Sequence, residues 1–86
     1  MFYIKLKVFG IFKDYLDEEI IIEYSDKINV NDLKKIITEK YFINNLSFLN
    51  KTLSRSLFSY DNVILSDDDY LTSGCSVYLL PPFSGG

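Results

Sequence analysis

The fold of this chain is decided by the stretch SVYLLPPFSGG at residues 76–86. Its first five residues, Ser-Val-Tyr-Leu-Leu, alternate so that Val77 and Leu79 fall on one face. A period of two with aromatic and branched side chains is typical of a β-strand that buries one face. The sequence therefore predicts a final strand over Ser76–Leu80, and the rest of the fold has to provide it with neighbours.

The six residues after this strand form a predicted tail that leaves the domain. Proline holds φ near −65° and donates no N–H, so the diproline stops strand pairing and stiffens the exit. Glycine has no Cβ, so a Gly-Gly end can enter a narrow slot. The tail consists of Pro81, Pro82, Phe83, Ser84, Gly85 and Gly86. Its reactive group would be the terminal carboxylate of Gly86; the alternative, a merely frayed end, stays open on these residues alone.

Two segments near the N-terminus show the same period of two. Residues 1–9 and 18–24 alternate as half-buried strands do, and their closeness in sequence predicts an antiparallel pair. Gly10 is expected to end the first strand, with a helical turn around residues 11–16 in the connection. The side chains expected on the apolar faces are Phe2, Ile4, Leu6, Val8, Ile20, Ile22 and Tyr24.

A helix is predicted between residues 30 and 41. Asn29 is a suitable N-cap, and Asp32 in the first turn suits the positive end of the helix dipole. Apolar residues then recur at helical spacing, which indicates a face packed on the core. These residues are Val30, Leu33, Ile36, Ile37 and Tyr41.

The second half of the chain reads as loops and short strands. Residues 42–55 are rich in Asn, Ser and Lys and are interpreted as a long surface loop, with room for a short strand or turn. Residues 56–60 and 63–65 are predicted strands. Residues 66–69, SDDD, form a solvated acidic loop that lacks the spacing of a calcium-binding loop.

The resulting order is β-β-α-β-β-β, which indicates an α+β domain. Its economical arrangement is a mixed sheet of about four to five strands packed on one main helix, with the first and last strands side by side. That arrangement is the β-grasp, or ubiquitin-like, fold. The expected organisation is one β-grasp domain over residues 1–80 followed by the tail at residues 81–86.

Composition excludes several functional classes. The net charge is −3, which is unfavourable for nucleic-acid binding, and no apolar run is long enough to span a bilayer. The chain has no histidine and one cysteine, so a histidine-based metal site and Ser-His-Asp or Cys-His catalysis are excluded. The start lacks a signal-peptide pattern and nothing demands an oxidising compartment, so a cytoplasmic protein is expected.

The ending LLPPFSGG, residues 79–86, resembles that of the small subunit of molybdopterin synthase, a ubiquitin-like sulfur carrier. The segment DDDYLTSG, residues 67–74, is similar to the family's approach to its last strand. So are the opening strand with Phe9 and the helix around Val30 and Leu33. The diproline, two residues and then Gly-Gly are the most specific part of the resemblance.

The resemblance implies a function in molybdenum cofactor biosynthesis. An E1-like adenylating enzyme would use ATP to adenylate Gly86, and a sulfur donor protein would convert it to a thiocarboxylate. The tail would then enter the large subunit of molybdopterin synthase, in a heterotetramer, and give its sulfur to the pterin precursor. The chain itself would bind no cofactor, and acid–base groups would come from the partner.

The resemblance also implies a docking surface near the tail. Ile64 and Leu80 match positions of the family's hydrophobic docking patch, and Phe9 is a further candidate at the end of the first strand. Ordinary packing is the competing interpretation for each. Cys75 is interpreted as a packed residue, because in this family the sulfur is carried on the terminal glycine.

Two other functions remain open. One is a sulfur carrier for another pathway, such as thiamine, against which the diproline argues. The other is a non-catalytic ubiquitin-like modifier or adaptor, and an adaptor would not need an exposed Gly-Gly end.

Overall fold

The computed structural model of the protein describes residues 1–41 and 47–82. Its strands are β1 (Phe2–Val8), β2 (Glu19–Tyr24), β3 (Leu57–Tyr60), β4 (Val63–Leu65) and β5 (Ser76–Leu80). Its α-helices are α1 (Val30–Tyr41) and α2 (Ser47–Arg55), and a short 3-10 helix covers Gly10–Asp14. The predicted turn between the first two strands and all the predicted strands are therefore confirmed.

The five strands form one mixed sheet in the order β2-β1-β5-β3-β4. β1 and β5 are parallel neighbours at its centre, with Val8 opposite Leu79, and the other pairs are antiparallel. The first and last strands are thus side by side, as expected. This sheet with its main helix confirms the β-grasp, ubiquitin-like fold.

Helix α1 begins at a reciprocal cap. The Asp32 N–H donates to Asn29 Oδ1 at 2.8 Å, and the Asn29 N–H donates to Asp32 Oδ2 at 3.1 Å. Two further N–H groups of this end, from Val30 and Asn31, donate to backbone carbonyls of the acidic loop that precedes β5. The cap predicted at Asn29 is confirmed, and the cap and loop together satisfy the free N–H groups that every helix start exposes.

The prediction of a loop over residues 42–55 is wrong for its second part, which is helix α2. Leu49 and Leu53 are four residues apart, lie on one helical face, and are buried in the core. The polar residues that suggested a loop include the exposed positions of this amphipathic helix. Residues 42–46 lie outside the described residues, so the loop prediction there stays a prediction.

One hydrophobic core lies between the sheet and the helices. Its fully buried members are Ile4, Leu6, Phe12, Ile22, Leu33, Ile37, Leu49, Phe58, Val77 and Leu79. Phe12 reaches the core from the 3-10 helix. Phe2 lies at the edge of the core, where its ring stacks on Tyr24 with centroids 5.5 Å apart. The opposite face of the sheet carries no helix in the described part of the chain, and it is this outer face that bears on function.

Candidate functional site

The candidate site is the end of the sheet from which the tail leaves. β5 ends at Leu80, and the half-buried Pro81 and Pro82 continue from it without a turn or a further strand. The remaining tail residues, Phe83, Ser84, Gly85 and Gly86, lie outside the described residues. Their roles in tail insertion, and Gly86 as the reacting residue, stay predictions.

The first proline of the tail rests on the backbone of Gly10. Gly10 follows the first strand with φ +62°, and a Cβ built on it would lie 2.7 Å from Pro81 Cγ. This distance is shorter than a carbon–carbon contact allows, since such atoms attract best at about 3.5–4.0 Å. Because Gly10 has no side chain, the Pro81 ring can lie where the Cβ of any other residue at position 10 would be.

Five apolar or aromatic side chains on the outer face of the sheet form what we call the outer patch: Phe9, Leu57, Ile64, Tyr78 and Leu80. All are exposed except Leu80, which is half-buried. The rings of Phe9 and Tyr78 have centroids 5.7 Å apart, and Leu57 is the strand partner of Leu80. The patch therefore begins directly beside the point where the tail starts.

Strand register places Ile64 in the same patch but at its far side. Tyr78 is opposite Ser59, and Ser59 is opposite Ile64, so one strand separates the two side chains. Strands lie about 4.8 Å apart, which puts Ile64 about 10 Å from Tyr78 across the sheet. The three residues predicted for docking, Phe9, Ile64 and Leu80, are thus brought to one face, and their role in docking stays a prediction.

Lysine side chains border the outer patch on the β1 side. Lys7 Nζ lies 5.8 Å from the ring centroid of Tyr78, and Lys7 is opposite Glu19 on the edge strand β2. The patch therefore passes from apolar to charged toward β2. A surface with an apolar centre and a polar rim is typical of a protein interface.

Two members of the outer patch were missed from sequence, Leu57 and Tyr78. The signal was present: Tyr78 alternates with the inward Val77 and Leu79, and Leu57 alternates with the inward Phe58. The alternation could not predict which residues lie next to Leu57 and Tyr78, because the pairing of β3 with β5 joins residues far apart in sequence.

Cys75 lies at the other end of β5 from the tail. Pro81 is six positions further along the chain, which is about 20 Å along an extended strand. Its side chain is buried, and burial raises the pKa of the Cys75 thiol above its usual value. A protonated, buried thiol at this distance has no route to the chemistry of the tail.

The described residues offer neither a metal centre nor a membrane helix. Among residues 1–41 and 47–82, no three His, Cys, Asp or Glu side chains are grouped as a metal ion would require. Neither helix in that part of the chain has the length and apolar character to cross a bilayer.

Solved structures from several organisms share this architecture, and three of them are described here. A protein described as putative molybdopterin converting factor, subunit 1, from Pyrococcus furiosus has 20% identity and a TM-score of 0.76, with 96% of this chain and 100% of that chain covered. SAMP1 from Haloferax volcanii has 12% identity and a TM-score of 0.75, with 98% and 99% covered.

The third is a complex of subunits 1 and 2 of molybdopterin-converting factor from Helicobacter pylori. It has 20% identity and a TM-score of 0.62, with 98% of this chain and 99% of that chain covered. No protein-family profile and no curated protein sequence matches the chain. At these identities the likeness establishes the fold, and it agrees with the resemblance drawn from the tail.

Proposed function

We propose that this chain is a ubiquitin-like sulfur carrier that serves as the small subunit of molybdopterin synthase. One observation carries the proposal: the strand that leads to Pro81, Pro82 and Gly86 is held at the centre of the sheet and ends beside the outer patch. The fold shared with the converting-factor subunits from P. furiosus and H. pylori supports it.

The chemistry proposed for Gly86 begins with activation. A carboxylate is a poor acyl donor, because its charge is delocalised and oxide is a poor leaving group. In the E1-like adenylating enzyme a Gly86 oxygen attacks the α-phosphate of ATP, pyrophosphate leaves, and a mixed anhydride forms. Hydrosulfide released by the sulfur donor protein then attacks the acyl carbon, AMP leaves with the electrons of the anhydride C–O bond, and loss of the S–H proton leaves a thiocarboxylate on Gly86.

Transfer takes place in the large subunit of molybdopterin synthase. The thiocarboxylate sulfur attacks a carbon of the pterin precursor, and an oxygen substituent leaves that carbon. Water then attacks the Gly86 acyl carbon, the acyl C–S bond breaks, the sulfur stays on the pterin, and the Gly86 carboxylate is restored for another cycle. Two such deliveries complete a dithiolene. This chain has no histidine, so the proton transfers and charge stabilisation are assigned to the partner.

The body of the domain provides docking and direction. The outer patch offers apolar anchors of the kind that dominate binding energy at interfaces. The H. pylori structure is a complex of subunits 1 and 2, and it supports a large-subunit partner for this chain. A heterotetramer of two small and two large subunits in the cytoplasm is part of the proposal.

The alternatives differ from the proposal in what they need from Gly86. A carrier for another pathway would form the same thiocarboxylate but would not support molybdopterin synthesis. A modifier would be activated at Gly86 and then joined to another protein. An adaptor would need only its folded surface, because no bond to the terminus forms.

The deciding experiment is an intact-mass measurement on the chain ending at Gly86. The protein is incubated with its activating enzyme, ATP and a sulfur source, and the expected product has one oxygen replaced by sulfur at Gly86. The loaded chain should then form molybdopterin from the pterin precursor with the large subunit. A variant with one alanine added after Gly86 is the control and should do neither. Sulfur loading of the extended chain would refute the proposal.

A further inference from the structure

We propose that Gly10 is a positioning residue for the tail: its bare backbone is the seat on which Pro81 rests, and this contact sets the direction in which the chain leaves the sheet at Pro82. The contact itself follows from the structure alone. Its consequence for sulfur loading rests on the proposed function.

The seat is formed at the junction of the two central strands. Val8 and Leu79 are the last register partners of β1 and β5; β1 ends at Val8, and β5 ends one residue after Leu79, at Leu80. Two residues beyond each partner are Gly10 and Pro81, and a Cβ on Gly10 would lie 2.7 Å from Pro81 Cγ, 3.7 Å from its Cβ and 3.8 Å from its Cδ. The proline ring therefore covers the position of the missing side chain.

A side chain at Gly10 cannot be accommodated by a simple rotation of its neighbour. Pro81 Cγ belongs to a ring closed on the backbone nitrogen, so apart from a change of ring pucker it moves only if the backbone moves with it. The backbone of Pro81 continues the last strand at one end and leads to the tail at the other. Because Leu79 is fully buried, the tail side is the one that can shift.

Gly74 is a matched control for the energetic cost of placing alanine at a position with a positive φ. Gly74 also has a positive φ, +88°, but a Cβ on it would meet only Tyr3 Oη, at the ordinary distance of 3.8 Å. Alanine at either position places a side chain in a left-handed conformation. Alanine at Gly10 alone adds the conflict with Pro81, so the difference between the two variants isolates the seat.

The experiment uses the full chain in five forms: wild type, Gly10→Ala, Gly74→Ala, Pro81→Ala and the double variant Gly10→Ala/Pro81→Ala. Urea denaturation first establishes the conditions under which each is folded. In the wild type, NMR should show a nuclear Overhauser effect between the Gly10 Hα and the Pro81 Hγ protons. If that signal is missing from the folded wild type, the seat does not exist and the proposal is overturned, whatever the variants do.

Adenylation of Gly86, the first step of sulfur loading, provides the second readout. For adenylation by the activating enzyme, Gly10→Ala should lower kcat by about tenfold to a hundredfold, because a misdirected tail places the carboxylate wrongly. KM should change little, since the outer patch is untouched. Gly74→Ala should keep the wild-type kcat. In the Pro81→Ala background, adding Gly10→Ala should have little further effect, because the ring atom it meets is gone.

Two failures can be told apart. If wild type is loaded and Gly10→Ala matches Gly74→Ala in kcat, the positioning role is overturned and the proposed function stands. If no form is adenylated by a competent enzyme while the Gly10–Pro81 signal is present and lost in Gly10→Ala, the proposed function fails and the seat stands as a structural device for a tail with another use.

Discussion

At the scale of single residues, the lone thiol of Cys75 is the group most easily mistaken for part of a sulfur-carrying site. It is buried beside the start of β5, and burial raises its pKa, so the thiol stays protonated at neutral pH. A thiolate is the reactive form of cysteine. The environment of Cys75 therefore opposes nucleophilic chemistry, and the residue serves packing.

This environment leads to a prediction for Cys75→Ala. The variant should be loaded with sulfur at Gly86 at the wild-type rate, as measured by intact mass. In the wild type, alkylation of Cys75 by iodoacetamide at pH 8 should be slower by on the order of tenfold or more than in urea, since reaction requires local opening. Equal alkylation rates in the two states, or loss of loading in Cys75→Ala, would give the thiol a role that the structure denies it.

The residues that sequence could place were those governed by local rules. Alternation identified Ile4, Leu6 and Leu79 as inward, and hydrogen-bonding chemistry identified Asn29 as the cap of α1. The contact between Gly10 and Pro81 could not be foreseen, because it depends on two segments far apart in sequence that the parallel pairing of β1 with β5 brings side by side. No local sequence pattern indicates that Gly10 contacts Pro81.

At the scale of elements, helix α2 is the part of the fold that sequence did not identify. Leu49 and Leu53 have the spacing of one helical face, but the intervening and flanking residues are Asn, Lys, Thr, Ser and Arg. Several of these residues have weak helix propensity, so the segment was predicted to be a loop despite its helically spaced apolar positions. The helix is stabilised by burial of its leucines, which is a tertiary effect.

Helix α2 should therefore depend strongly on its buried leucines. Leu53→Ala is expected to lower the free energy of unfolding by about 2–5 kcal/mol, through lost burial and the cavity it leaves. Lys51→Ala, at an exposed position of the same helix, is the control and should change it by no more than about 0.5 kcal/mol. Urea denaturation measures both. Similar small effects for the two would mean that α2 is not packed on the core as described.

At the scale of the whole molecule, the two edges of the sheet differ in the side chains that surround them. Ile64 on β4 and Ile21 on β2 both belong to edge strands and are 52% and 50% exposed. Ile64 belongs to the outer patch. Ile21 does not: it is opposite Lys5, and the lysines of β1 lie between it and the patch. The proposed docking surface includes one edge and leaves out the other.

A comparison of charge substitutions tests this asymmetry. Ile64→Asp should weaken binding to the large subunit of molybdopterin synthase by about tenfold or more, because it puts a carboxylate into an apolar contact. Ile21→Asp should leave the dissociation constant within about twofold, as expected for a position outside the contact. Isothermal titration calorimetry on the folded variants provides the measurement. If the two variants bind alike, the outer patch is not the docking surface.

The overall topology was more predictable than its details. The order of strands and helix along the chain, together with apolar faces on the first and last strands, leaves few ways to bury both, and the observed sheet is one of them. The composition of the outer patch was less predictable. Its members lie on β3, β4 and β5 and just after β1, and only the folded sheet brings these segments together. Prediction was thus strongest where the rules are local or topological.

The central position of β5 has a consequence for how the protein is made. Without β5 the sheet consists of two separate hairpins, β2 with β1 and β3 with β4, and each would expose an unpaired strand edge. A nascent chain therefore cannot complete its fold until Leu80 has been translated and has left the ribosomal exit tunnel. Any enzyme that selects this protein by its assembled surface will ignore truncated translation products.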